Sequence, residues 1–303
     1  FGYLTSPTYR DPCESIHDCQ FHDQPHKYPA SNPRYHPPNN RQRKKSLLLF
    51  FLLKLAKLDT IEEAEKYVKE KNPECKALVL ISPDMTREQV EEYLKDPHVV
   101  GMKPFSYYAN FDGPLRDSPL ESFLPEWAWQ CAHDHGLMFL VHLMRPGSLA
   151  DPLNYETIRV MAKKYPNAVL ILAHAARSFA AWTAVEAVDT VKHLDNVWFD
   201  FSGVCESPAV FQIMRKCGVE RCMWGSDYPI SRLAGKAISI ADSFYWIAEA
   251  DLERFAGPTE FHSWLVGTEN LMAVRQACLM LDLGISDVEK LFYKNAAALF
   301  GMK

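Results

Sequence analysis

The chain has 303 residues, 48% of them apolar and 23% charged, with a net charge of −5. These are globular values, ample for a large core, and the negative balance argues against a nucleic-acid-binding face. The longest apolar stretch, Leu47–Leu53, is far short of the roughly 20 residues that a membrane span needs. It follows the basic cluster Arg41–Lys45, but its internal position and the lack of a small-residue cleavage site count against a secretion signal. The eight cysteines are scattered without a CxxC pair, which suits a reducing compartment better than a disulfide framework. The expectation is a soluble, cytoplasmic protein with no nucleic-acid or membrane partner.

Residues 1–45 are rich in proline, histidine and asparagine. Within them Ile16–His22 reads as one short strand and 23–40 as a long loop, a length usually reserved for functional or disordered segments. Ser46–Leu53 is a second strand candidate, although so short an apolar run also permits a helix. A regular alternation then begins. Thr60–Lys71 is a helical pattern, Ala77–Ile81 a strand, and Thr86–Lys95 a helix opened by a Thr86/Gln89 capping box. Val99–Lys103 is a strand stopped by Pro104. Ser122–His135 is a helix that Gly136 ends, glycine being suited to a left-handed cap.

The next strand ends at His142. Asn154–Lys164 is a helix, and a strand follows it to His174. Thr183–Lys192, Val197–Phe201 and Pro208–Cys217 continue the pattern as helix, strand and helix. A final strand runs into Trp224-Gly225-Ser226-Asp227-Tyr228-Pro229, where proline ends it because it cannot donate to a ladder. Ile238–Glu249, Thr268–Asp282 and Ser286–Phe300 read as helices. Eight apolar strands, each followed by a helix or long loop, fit a single α/β domain over 1–303: a (β/α)8 TIM barrel with extra C-terminal helices. A doubly wound open sheet competes, but no glycine-rich phosphate turn follows any strand.

In such a barrel the chemistry sits at the carboxyl ends of the strands. The chain places Gln20 and His22, Lys103, His142, His174 and Asp227 there. Gln20 and His22 are two apart and share one face of a strand. Any single histidine is more often a satisfied polar residue than a ligand; several at strand ends reverse that balance. Neutral imidazole and carboxylate suit zinc, manganese or iron, and a catalytic site keeps one position for water. Arg145 and Arg177 follow His142 and His174 closely and are either solvated loop charges or a clamp for a substrate carboxylate. Asp200 alternates with aromatic residues and reads either as a partner that orients a histidine or as a buried structural carboxylate.

The runs Leu-Met-Phe-Leu-Val-His142, Leu-Ile-Leu-Ala-His174-Ala-Ala-Arg and Met-Trp-Gly-Ser-Asp227-Tyr-Pro, with the closing Val288–Gly301 segment, resemble the metal-dependent amidohydrolase superfamily. The resemblance is to the branch that includes aminocarboxymuconate-semialdehyde decarboxylase, and it is clear from about residue 75 onward. It implies one divalent ion, with Zn2+ favoured over Mn2+ or Fe2+, held by Gln20, His22, His142 and Asp227. It further implies that His174 assists a metal-activated water and that Asp227 accepts its proton. Lys103, Arg145 and Arg177 are then the substrate-binding cations, the substrate being a small organic acid, and relatives are commonly dimers. Gln20 departs from the expected histidine, with His17 or His26 as alternative donors. Hydrolysis, non-oxidative decarboxylation and a non-catalytic ligand-binding barrel therefore all stand as readings, hydrolysis first.

Overall fold

The computed structural model of the chain describes residues 76–228, 230–248, 251 and 264–302, which belong to one compact unit beginning at Lys76. The first two predicted strands and the 60–71 helix lie outside these residues. Six strands form one parallel sheet in sequential order: β1 (Ala77–Ile81), β2 (Val99–Pro104), β3 (Met138–Val141), β4 (Val169–Leu172), β5 (Val197–Asp200) and β6 (Cys222–Met223). Each pairs only with its sequence neighbours. A doubly wound sheet reverses its strand order at a switch point; this sheet does not, and its order is that of a (β/α)8 barrel.

Helices cover one face: α1 (Arg87–Tyr93), α2 (Glu126–His135), α3 (Pro152–Lys164), α4 (Trp182–Ala187) and α5 (Ser207–Cys217). The reciprocal Thr86/Gln89 box opens α1, and Gly136 closes α2 at φ 64°. Under the helices Phe139, Val141, Leu170, Leu172, Val197, Phe199 and Cys222 are completely buried. The alternate residues Met138, Ile171 and Met223 form a second cluster with Leu78, Leu140, Val169 and Trp198, joined by Leu299 and Phe300 from the C-terminus. Apolar side chains on both faces are what parallel strands require. Beyond the sheet come α6 (Val266–Met280), α7 (Ile285–Glu289), a π turn over Lys290–Lys294 and α8 (Asn295–Leu299). No helix among the described residues is long and apolar enough to cross a membrane.

Two expectations are corrected. The helix expected over Ile238–Glu249 is an antiparallel hairpin, β7 (Gly235–Ile240) and β8 (Ser243–Ala248). Ile238, Ile240 and Phe244-Tyr245-Trp246-Ile247 are β-branched or aromatic, and the two-residue turn Ala241-Asp242 has Ala241 at φ 53°, as a tight hairpin demands. The strand expected to reach His174 stops at Leu172; the chain then enters a left-handed turn.

Candidate active site

Side-chain alternation explains the first part of the site. Lys103 pairs with Leu80 across β1 and β2, and His142 lies two residues beyond Leu140. Asp200 lies two beyond Trp198 and Gly225 two beyond Met223. All four therefore continue the inner, non-helical face past its apolar cluster. The close approach is visible at Gly225, where an added Cβ would stand 2.6 Å from Asp200 Oδ1; glycine leaves that carboxylate its place.

A directed hydrogen-bond chain links these groups. Lys103 Nζ lies 3.1 Å from His142 Nδ1, His142 Nε2 lies 2.7 Å from His174 Nε2, and His174 Nδ1 lies 2.8 Å from the Ser202 carbonyl. An ammonium can only donate and a carbonyl can only accept. Lys103 therefore donates to His142 Nδ1, His142 donates through Nε2 to His174 Nε2, and His174 donates through Nδ1 to Ser202. Both imidazoles are neutral in this arrangement. Burial, reinforced by Lys103, His174 and Arg177, holds His142 well below the usual histidine range. Burial also lowers Lys103 to about 8, against the opposing pull of Asp227 and Asp200.

Asp200 fixes the far end of the chain. Ser202 Oγ donates to Asp200 Oδ2, and the Ser202 amide donates to Oδ1 at 3.1 Å. The His174 amide approaches Oδ2 at 3.4 Å. Burial raises the Asp200 carboxyl while His174 and Ser202 hold it down. Phe179 stacks on the His174 ring at 5.3 Å. Asp227 joins from the β6 turn: a Cβ at Gly203 would sit 3.6 Å from both Asp227 Oδ2 and His174 Nδ1, so the two side chains converge over that glycine.

The backbone here is strained. Eight described non-glycine residues have positive φ, and six of them are at this end of the sheet: His174, Ala175, Ala176, Arg177, Asp227 and Ser148, the last donating to the Arg177 carbonyl at 3.0 Å. Left-handed conformations cost roughly 1–2 kcal/mol each for such residues, and clusters of them mark functional sites.

The two arginines differ. Arg145 is committed to Asp151, the N-cap of α3, at 2.8 Å and to the Asp117 carbonyl at 2.8 Å. Arg177 lies over the Phe244 ring at 5.5 Å and reaches the Met144 carbonyl at 3.2 Å, and its charge acts on His142. Gln20 and His22, with the alternatives His17 and His26, lie outside the described residues. Sequence reasoning did not identify Ser202, whose spacing from Asp200 was the available signal, nor Phe179. Among the described residues the set of three His, Cys, Asp or Glu donors within 4.8 Å of one another is Glu91, Cys131 and His135, so His142, His174 and Asp227 do not by themselves form a closed set. Their chemistry, neutral imidazole and carboxylate, still suits a divalent ion.

Several known proteins are similar. The L-fucono-1,5-lactonase of Burkholderia ambifaria is 28% identical over 181 residues, which span 54% of this chain and 57% of the lactonase. The chain thus matches little more than half the length of that relative. An amidohydrolase from Burkholderia multivorans, crystallised with bound HEPES, aligns with a TM-score of 0.50 at 11% identity, over 80% of each chain. A second crystal form of that amidohydrolase, with bound zinc, aligns equally well; both likenesses concern the fold. Residues 69–302 match the family described as Amidohydrolase, and the chain belongs to that family of enzymes.

Proposed function

We propose that the chain is a metal-dependent hydrolase acting on a small, carboxylate-bearing substrate, with its chemistry at the carboxyl ends of β2 to β6. The observation that carries this reading is the directed chain Lys103–His142–His174–Ser202 beside Asp227, held in strained backbone. His142 and Asp227 are the described donors that would hold the ion, His142 by giving up its hydrogen bond to Lys103 or to His174 so that one ring nitrogen offers a lone pair; the expected partners Gln20 and His22 lie outside the described residues. A bound divalent ion supplies Lewis acidity and a water acidified toward about pH 7; the zinc in the Burkholderia multivorans neighbour supports such an ion here.

The chain's own residues supply the rest. His174 commits its Nδ1 proton to Ser202, so Nε2, once His142 has turned from it to the ion, is the atom at which it accepts or returns a proton. Asp227 Oδ2 is the second proton acceptor. Lys103, Arg145 and Arg177 are the cations proposed to receive the substrate carboxylate; Arg145 also pairs with Asp151 and Arg177 with the Met144 carbonyl. Phe179 walls His174 and limits water on that side.

Elemental analysis of the purified protein tests the reading, together with assays on 1,5-lactones and small carboxylate esters. H142A and D227N are expected to carry about one ion per chain fewer than wild type, with Gln20→His binding more tightly; equal metal content in wild type, H142A and D227N would count against this site. Absence of metal and of hydrolysis in both wild type and Q20H would overturn it. Carbon dioxide as the product in place of a ring-opened acid would shift the assignment to decarboxylation.

A further inference from the structure

We infer that a zinc ion binds between α1 and α2, on Glu91, Cys131 and His135, apart from the candidate active site. The three ligand atoms lie within 4.8 Å of one another. Cys131 and His135 are four residues apart on α2 and so share one face of it, and Glu91 meets them from α1. His135 Nε2 already lies 3.0 Å from Glu91 Oε1. Tetrahedral zinc with ligand bonds of about 2.0–2.3 Å separates its ligand atoms by roughly 3.3–3.8 Å. Closing that gap needs only a modest shift of the half-exposed His135 and Glu91 side chains, at 40% and 36% exposure.

A plain polar staple between two helices is the competing explanation. Arg87 donates to Glu91 on its own helix at 2.7 Å and to Asp134 on α2 at 2.6 Å, and the second pair, with His135–Glu91, would join α1 to α2 unaided. What the staple does not use is the sulfur. Cys131 is fully buried, yet its Sγ is turned to the point where Glu91 and His135 meet. Thiolate, imidazole and carboxylate together select zinc over magnesium or calcium, with water completing the coordination. Binding displaces Arg87 from Glu91, but Asp134 keeps that guanidinium paired. The Cys131 S–H bond breaks and its proton leaves to buffer; the proton that His135 Nε2 donates to Glu91 moves through solvent to Nδ1, and the freed sulfur and nitrogen lone pairs form the bonds to zinc. Gly136 and then β3 follow His135 directly, so the ion lies toward the strand starts. The candidate active site is at the strand carboxyl ends.

Cobalt(II) tests this on the intact protein, because a thiolate ligand gives a charge-transfer band that nitrogen and oxygen ligands do not. None of the described residues assigned to the active site is a cysteine. Titrating metal-free protein with cobalt is expected to produce the band in wild type and in D227N. C131S should abolish it. His135→Gln, a change at a half-exposed position, should weaken cobalt affinity by at least about tenfold, and R87A should tighten it. Absence of the band at saturating cobalt would overturn the inference, as would an undiminished band in C131S or unchanged affinity in H135Q.

Discussion

Asn270 is the most informative stability probe of the site's scaffold. It sits on α6 with 1% exposure and uses every atom of its amide. Nδ2 donates to the Phe201 carbonyl at 2.6 Å and the Val204 carbonyl at 2.8 Å, and Oδ1 accepts from Trp224 Nε1 at 2.7 Å. One side chain thereby ties the loop that carries Ser202 to the turn that carries Asp227. Asn270→Ala removes three hydrogen bonds worth about 1 kcal/mol each and leaves two backbone carbonyls and a part-buried indole N–H without their partner, a further cost of about 1 kcal/mol. Water entering the space returns part of this, so a loss of about 3 kcal/mol is expected. At roughly 2–4 °C per kcal/mol for a chain of this order of size, Tm should fall by about 6–12 °C. Urea unfolding followed by far-UV circular dichroism measures it directly. Asn270→Asp keeps the acceptor but sets a charge against two carbonyls, and should be no better than alanine at neutral pH. A loss below about 1 kcal/mol for N270A, with unchanged m-value, would refute this reasoning.

Other consequences follow from the same contacts. Gly225→Ala drives a methyl into Asp200 Oδ1; the displaced carboxylate releases Ser202, and turnover should fall on the order of 100-fold, the usual result of misplacing a catalytic group by about 1 Å. Trp246→Ala removes a buried side chain that packs edge-on against Phe179 at 5.2 Å; it should cost about 3 kcal/mol in thermal unfolding and lower turnover because Phe179 then supports His174 less well. Burial raises the Cys205 and Cys217 thiols to about 11. The native chain therefore keeps these protons above pH 9 while the unfolded chain releases them, and stability should fall between about pH 9 and 11. Stability unchanged across that range, or fast labelling of these thiols in native protein at pH 7, would contradict their burial.

Much of the sheet was legible because parallel strands buried on both faces are continuous apolar runs, and all six strands of the parallel sheet fall where such runs were read. The caps were legible for local reasons: Thr86 and Gln89 needed only a spacing, and Gly136 only its freedom at positive φ. The hairpin was missed although Ile238 and Ile240, like Tyr245 and Ile247, are two apart as strand alternation requires; only the seven-residue steps Ile238–Tyr245 and Ile240–Ile247 fit a helix. Its true signal was the aromatic and β-branched content of Ser243-Phe244-Tyr245-Trp246-Ile247. Lys103, His142, His174 and Asp227 were readable as strand-end groups, but Ser202 and Phe179 beside His174 were not. A carbonyl such as that of Ser202 carries no sequence mark of its hydrogen-bonding duty.

His174 shows why residue type at a strand end is not enough to define a site. His142 reaches the inner face by simple alternation, two residues beyond Leu140, with no residue at positive φ. His174 is two beyond Leu172, which is completely buried with the outer, helix-covered set. Continued as an extended strand, β4 would send this imidazole under the helices, away from Lys103 and His142. The left-handed turn from His174 to Arg177 brings the ring back against His142, at a backbone cost on the order of 4 kcal/mol or more. Ala175 and Ala176 fit because both are small and wholly buried, and Ser148 and Asp200 hold the turn at its two ends through the Arg177 carbonyl and the His174 amide. A protein satisfied with a buried structural histidine would have no use for that expense. The strain supports the proposal that His174 takes part in the chemistry.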